Sequence, residues 1–337
     1  MPAPAPWGSP HPLPLGSGKG AENGILIRNG AAIQRMNEVT TVVFDKTGTL
    51  TMGKPKVTQV KPLSGIGEND LIRMAASIEK HSTPPLGVAI VQLADEKQIG
   101  LDEAVNVQAS AGKGISGTFG SGIIKVGSAD FVGFNDELNE KGSQVFIAVD
   151  DTVYGVFILA DEMKANASQV IQRLKSNHIK TVMLTGDKQE TADLLAKQIG
   201  IDEIYAEVLP EDKTHIIQTL QENGEIVCML GDGINDAPAI AQADVGVAMG
   251  TGTDIAMETG DIILVKGDLL KLNQSFSLAK KTFRKIRQNL VWASIYNCIA
   301  IPLAIFGVLH PVLAEAAMAI SSINVVGNSN RLRRETL

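Results

Sequence analysis

The hydrophobic pattern changes its period twice along the chain. Thr40, Thr41, Val42, Val43 and Phe44 make a short apolar run suited to a strand, and an acidic residue, Asp45, closes it. Between 54 and about 160, Leu71, Met74 and Ile78 recur at helical spacing over 71–80, as do Leu86, Ile90 and Leu93 over 85–97. Short alternating runs follow at 105–107, 115–119, 122–126, 145–149 and 152–157, divided by Gly and Asp turns, and they predict an antiparallel sheet. From 161 onward, helices alternate with short Val/Ile-rich strands. The helices fall at 165–175, 189–198, 213–221 and 238–242, the strands at 181–184, 204–206, 225–230, 245–248 and 262–264. That alternation predicts a mostly parallel sheet covered on both faces, with ligands beyond the carboxyl ends of its strands.

Residues 54–158 therefore read as an α+β domain inserted into an α/β domain built from 39–53 and 159–270. Residues 18–38 are mildly amphipathic and read as a linker or stalk helix. The first fifteen residues hold six prolines and no charge of the kind that opens a secretory signal, so 1–17 is expected to be disordered. In the last quarter, 290–309 is twenty residues without a charge, long enough for about 30 Å of hydrocarbon. The run 311–326 is shorter and carries Glu315. Basic clusters at 280–287 and 331–334 flank the pair, which is what two crossings with both ends in the cytoplasm would show. The expectation is a stalk at 271–289, transmembrane helices at 290–309 and 311–328, and a cytoplasmic tail at 329–337.

Composition narrows the picture modestly. The 337 residues carry a formal net charge of -7, so no broad basic surface invites nucleic acid. The two cysteines, Cys228 and Cys298, form no metal-ligand spacing and imply no disulfide framework, and Cys228 reads as a small buried hydrophobe.

Candidate chemistry gathers at strand ends. Asp45 follows an apolar strand and precedes Lys46, Thr47, Gly48 and Thr49, small residues whose backbone N–H groups suit a phosphoryl group on the carboxylate. Thr185, Gly186 and Asp187 offer a hydroxyl and a glycine N–H for phosphate oxygens. Lys213 opens a helix as a cation for the transferring group. In the segment 229–236, Asp232, Asn235 and Asp236 leave a turn together, and Asp232 and Asp236 with Asp45 and the Thr47 carbonyl form an oxygen set suited to Mg2+. Each fragment alone reads equally well as a solvated turn. Four in order, each at a strand end, favour the chemical reading.

The run 43–51 resembles the phosphorylation motif of P-type cation pumps, and the four segments together resemble the haloacid-dehalogenase-like phosphotransferase core. The resemblance implies an aspartyl-phosphate on Asp45 formed from ATP with Mg2+. It assigns catalytic roles to Asp45, Lys46, Thr47, Thr185, Gly186, Asp187, Lys213 and Asn235. Within the heavy-metal (P1B) branch it makes the insert the nucleotide-binding domain, with Glu79 as the acidic contact, Gly112 and Gly114 as a Gly-x-Gly turn, and Gly127 in a later pair. Two positions depart from that branch: Pro84 stands where the family has histidine, and Ser128 where it has asparagine. Loss of a hydrogen-bond donor at 84 implies weaker nucleotide binding. His81, three residues earlier, is a substitute donor or a surface histidine at a helix end.

The copper(I)-exporting branch is implied by Tyr296, Asn297, Met318 and Ser321, which match residues placed beside the transported ion. A thioether suits Cu+ better than a hard cation, although small and polar residues there also serve close helix packing. The implied partners are ATP, copper(I) with silver(I) as a second cargo, a lipid bilayer, and a copper chaperone for the complete pump. The implied placement is a multi-pass protein of a bacterial or archaeal plasma membrane. The stretch 246–254 resembles the segment coupling the phosphorylation core to the stalk. The Cys-Pro-Cys triplet and the Thr-Gly-Glu actuator segment are not in the sequence, so the chain is expected to be the carboxyl-terminal half of a pump, unable to transport alone. A phosphatase of the same core superfamily and a membrane-anchored nucleotide-binding remnant remain as alternatives.

Overall fold

The helix–strand alternation builds one seven-stranded sheet and the inserted runs build a six-stranded one. The computed structural model describes residues 12–82, 84–110, 112–120, 122–134, 142–251, 254–306 and 311–335. They divide into two units, Met1–Leu50 with Ala165–Leu337, and Thr51–Lys164.

The first unit opens with helix α1 (Pro12–Glu22), strand β1 (Ile25–Ile27), helix α2 (Gly30–Met36) and strand β2 (Thr41–Asp45). Residues 12–17, expected to be disordered, begin α1; Pro12 and Pro14 lie in its first turn, where the missing N–H groups would have no intrahelical partner. Residues 18–38 are helix, strand and helix rather than one helix. Gly24 turns the chain at φ +72°, and β1 then finds a partner in the sheet.

The second unit holds β3 (Thr51–Pro62), α3 (Glu68–Glu79), α4 (Pro85–Glu96), β4 (Val105–Ser110), β5 (Gly114–Phe119), β6 (Gly122–Gly127), α5 (Ala129–Val132), β7 (Ser143–Val149) and β8 (Thr152–Met163). Its sheet is antiparallel in the order β3-β8-β7-β6-β5-β4. The twelve-residue β3 is not evident from the sequence pattern, because Gly53, Pro55 and Pro62 interrupt it. It forms at the sheet edge, where a missing N–H is tolerated. Leu71, Ile72, Ile78 and Ile90 of the two helices pack with Ile115, Ile124, Ile147 and Phe157 of the strands into this unit's core.

The chain then returns to the first unit through α6 (Ala167–Ser176), β9 (Lys180–Leu184), α7 (Gln189–Ile199), β10 (Glu203–Tyr205), α8 (Asp212–Glu222), β11 (Val227–Gly231), α9 (Ala237–Gln242), β12 (Val245–Met249), α10 (Asp254–Thr259) and β13 (Ile262–Leu264). The sheet order is β1-β13-β12-β11-β2-β9-β10, parallel throughout except for β1. All five residues of β2 are buried, as a central parallel strand covered on both faces requires. Val43, Val182, Leu184, Ile217, Val227 and Met229 share one core beneath the strand ends. With β9 on one side and β11 on the other, β2 stands where the chain's crossovers diverge, the position at which α/β sheets carry ligands.

Two long helices finish the unit, α11 (Leu270–Ile305) and α12 (Pro311–Arg331). They overturn the expectation of two transmembrane helices and of a multi-pass membrane placement: among the described residues no helix is long and apolar enough to cross a membrane. The physical reason is that absence of charge is a weaker property than apolarity. α11 ends at Ile305, inside the twenty-residue uncharged run, and Ser294, Asn297 and Pro302 interrupt that run. α12 intersperses Glu315, Ser321, Ser322, Asn324, Asn328 and Ser329 among its apolar residues. A polar clasp joins the two helices instead. Asn289 Nδ2 donates to Ser329 Oγ at 2.9 Å, and Asn328 Nδ2 donates to Asn289 Oδ1 at 2.8 Å.

Candidate active site

Register brings three strand ends to one level. Asp45 pairs with Leu184 across β2 and β9, and Phe44 pairs with Leu230 across β2 and β11, so Thr185 and Asp232 leave the sheet beside Asp45. After Asp45 the chain makes a turn over Lys46–Leu50 in which Thr47 (ψ 127°) and Gly48 (φ +73°) leave helical geometry. Gly48 is required twice over. Its φ is left-handed, and a Cβ built there would lie 1.6 Å from Asp232 Oδ2. Gly231 has a similar role, since a Cβ on it would lie 2.6 Å from the Asp236 Cβ. Neither constraint is explicit in the motif readings above; the runs of small residues beside each aspartate are the signal that points to them.

The first turn of α8 presents Lys213. This residue is 8% exposed, and its ammonium donates to Asp45 Oδ1 and Asp236 Oδ1, each at 2.6 Å. Asp236 is buried, and its Oδ2 accepts from the backbone N–H groups of Asp232 (3.3 Å) and Gly233 (3.2 Å). Burial pushes the Asp45 carboxyl up to about 6, the charge of Asp236 adds to the rise, and Lys213 opposes it. Burial alone would lower the Lys213 ammonium, but Asp45 and Asp236 outweigh it and hold it above its ordinary value.

Asp45, Asp232 and Asp236 place one ligand oxygen each within 4.8 Å of one another. Asp45 and Asp236 are buried and Asp232 is half-buried. All the donors are hard oxygens, so the set fits a divalent cation such as Mg2+.

Two more expected residues pair with each other. Lys46 Nζ donates to Asp187 Oδ2 at 2.7 Å, and the Asp187 N–H donates to the buried hydroxyl of Thr185 at 3.1 Å. Gly186 is exposed, with only the Val208 carbonyl within 4 Å of an added Cβ (3.6 Å). The side chains of Thr47 and Asn235 are exposed. Thr49, expected to contribute only a backbone N–H, is fully buried with its hydroxyl unpartnered.

In the second unit Glu79 ends α3 and is buried. Burial raises its carboxyl above the ordinary range against a hydrogen bond from Ser82. Gly87 of α4 makes room for it, because a Cβ there would meet Glu79 Oε2 at 2.1 Å. Gly114 and Gly127 face each other in register across β5 and β6. A Cβ on Gly114 would lie 2.7 Å from the Gly127 Cα and 2.3 Å from the Val126 carbonyl oxygen. Gly112 turns the preceding loop at φ +71°. His81 is exposed, Pro84 precedes the first turn of α4, and the Ser128 hydroxyl caps α5 by accepting from Phe131 N. Of the residues expected beside a transported ion, Ser321 is half-buried on α12, while the side chains of Tyr296, Asn297 and Met318 lie outside the described residues.

Comparison with known proteins agrees with this fold. The description "haloacid dehalogenase-like hydrolase" matches residues 39–244. The chain is 43% identical over 342 residues to a copper-exporting P-type ATPase of Staphylococcus haemolyticus (strain JCSC1435), a match covering 98% of this chain and 42% of that protein. It is 42% identical over 344 residues to a silver exporting P-type ATPase of Salmonella typhimurium, covering 96% and 42%. The crystal structure of a zinc-transporting PIB-type ATPase in its E2.Pi state is similar with a TM-score of 0.82 and 36% identity, over 95% of this chain and 54% of that one. The chain thus spans less than half the length of these two sequence relatives.

Proposed function

The chain belongs to the haloacid dehalogenase-like hydrolase family and carries a phosphotransfer catalytic domain homologous to that of heavy-metal P-type ATPases; from that premise we propose that Asp45 accepts the terminal phosphoryl group of ATP. The observation that carries the reading is the Lys213 ammonium held at 2.6 Å from both Asp45 and Asp236 at the carboxyl end of the central strand. A buried carboxylate cluster of this kind is costly to a fold and is characteristic of a working site.

Lys213 occupies Oδ1 of Asp45 and so leaves Oδ2 to attack the γ-phosphorus. The new bond is a carboxylate–phosphate anhydride, the bond broken is that between the γ-phosphorus and the oxygen bridging to the β-phosphate, and ADP leaves with that oxygen. Thr185 and the Gly186 N–H steady the phosphoryl oxygens, and Lys46 fixes Asp187 beside them. Asp45, Asp232 and Asp236 are the residues that would hold Mg2+, which when bound would supply charge neutralisation to the phosphate. Glu79, His81, Gly112, Gly114 and Gly127 form the nucleotide-holding face of the second unit, and the close approach of Gly114 to Gly127, with the Phe131 ring against both, leaves no room for a side chain at either position.

The cargo of the longer protein is a soft monovalent cation, copper(I) with silver(I) as the second candidate. The sequence relatives described as copper- and silver-exporting support that choice. Incubation with γ-labelled ATP and Mg2+ tests the chemistry. An acid-stable, hydroxylamine-labile adduct that vanishes in Asp45→Asn is expected, whereas nucleotide binding without an adduct would remove the proposal. For the cargo, adduct formation by the full-length protein should rise with Cu+ or Ag+ and not with Zn2+.

A further inference from the structure

One face of α11 carries a stripe that phosphoryl transfer does not use. Lys280, Arg284 and Arg287 recur at spacings of four and three, and Val291 and Ile295 extend the same row with Trp292 beside it. Together with Phe283, Gln288 and Asn37, which follows α2, they line a groove of about 580 Å³. Its two ends differ chemically. The end toward Lys280 is cationic and contains no carboxylate, while at the other end Val291, Trp292 and Ile295 are 56%, 50% and 45% exposed.

Among the described residues no acid pairs with Lys280, Arg284 or Arg287. On the inward side of the same helix, Lys285 is buried and paired with Glu335 at 3.2 Å. Three uncompensated cations stand out in a chain with a formal net charge of -7. From Lys280 to Ile295 the helix rises about 22 Å, so charge and apolarity are separated along its axis and not only around it.

We propose that this groove binds an anionic phospholipid, its phosphate lying against Lys280, Arg284 and Arg287 and an acyl chain against Val291, Trp292 and Ile295. Charge complementarity selects the head and the exposed apolar row selects the tail. A free anion would leave the apolar end uncovered, and a neutral amphiphile would leave the three cations without a counter-charge. The inference is independent of the phosphoryl-transfer reading and needs no ATP in its test.

The chain contains two tryptophans, Trp7 and Trp292, so the full chain carrying Trp7→Phe reports on the groove alone. Titration with monomeric dihexanoyl phosphatidic acid should give a saturable blue shift of Trp292 emission, with an affinity that falls as salt rises. The double variant Arg284→Ala/Arg287→Ala should bind about thirty-fold more weakly, and Arg284→Lys/Arg287→Lys should retain most of the affinity. Circular dichroism of both variants should match the parent, since the positions are exposed. Equal binding of dihexanoyl phosphatidylcholine, an unchanged affinity in the alanine variant, or equal affinity for inorganic phosphate would each overturn the proposal. Displacement by an acidic amphipathic peptide at lower concentrations than the lipid would assign the groove to a protein partner and overturn it as well.

Discussion

At the scale of single residues, the candidate site is a place where function and stability oppose each other. The Asp45 carboxyl is raised from 3.8 to about 6, chiefly by burial and then by Asp236. A carboxyl raised in the folded state stabilises the fold when protonated. Its contribution is fully present below about pH 4 and is lost as pH rises through about 6. In the absence of Mg2+ the protein should therefore gain thermal stability on going from pH 7.5 to pH 5, and Asp45→Asn should flatten that response. At pH 7.5 without Mg2+ the same variant should be more stable than the parent by about 1–3 kcal/mol while forming no adduct, and the gap should narrow when Mg2+ is added. Denaturant melts with and without the metal check both points. Lys213→Met should leave Asp45 and Asp236 facing each other without a cation and slow adduct formation by about 10²–10³-fold. Single-turnover quenched flow measures that rate. In Gly48→Ala the new methyl meets Asp232 at 1.6 Å in a left-handed conformation. Mg2+ affinity, read by calorimetry, should fall by at least tenfold even where circular dichroism shows an intact fold.

At the scale of elements, the parallel sheet was legible because its strands are continuous apolar runs bounded by turns, and helices separate them with clear periodicity. Val42, Val43 and Phe44, β-branched and aromatic in a short apolar run, favour a buried strand, and all three are buried in β2. The antiparallel insert was legible from alternation, except at β3, where Pro55 and Pro62 argue locally against a strand and only the edge position explains why one forms. The approach of Asp232 to Gly48 was not legible, because it depends on the register of β11 against β2 and on a left-handed turn that no spacing rule encodes. The carboxyl-terminal helices misled for a definite reason: a run free of charge was equated with an apolar one, and Asn289, Asn328 and Ser329 in fact join the two helices. Asn289→Ala should remove the donor to the Ser329 hydroxyl, which keeps its bond to the Val325 carbonyl, and the acceptor of the Asn328 amide, and cost about 1–3 kcal/mol. Amide exchange should accelerate in α11 and α12 and stay unchanged in β2, β9 and β11. In the insert, Gly127→Val would drive a side chain into the Lys113 carbonyl and the Gly114 Cα, at 2.3 and 2.7 Å from its Cβ. It should weaken nucleotide binding at least tenfold, measured by fluorescent-nucleotide titration.

At the scale of the whole molecule, the seven-stranded unit holds Asp45 with Lys213, Asp232 and Asp236, and the six-stranded unit holds the glycine pair and Glu79. The central claim is that the carboxyl of one residue, Asp45, becomes phosphorylated. The chain is incubated with ATP and Mg2+, quenched in acid, reduced with borohydride, and its peptides are weighed by mass spectrometry, because an acyl phosphate is reduced to an alcohol while a free carboxylate is not. The account predicts homoserine at position 45, dependent on both ATP and Mg2+ and absent after hydroxylamine treatment. Unmodified aspartate at 45 with the phosphoryl group on another residue, or no modification while ATP is bound, would contradict it.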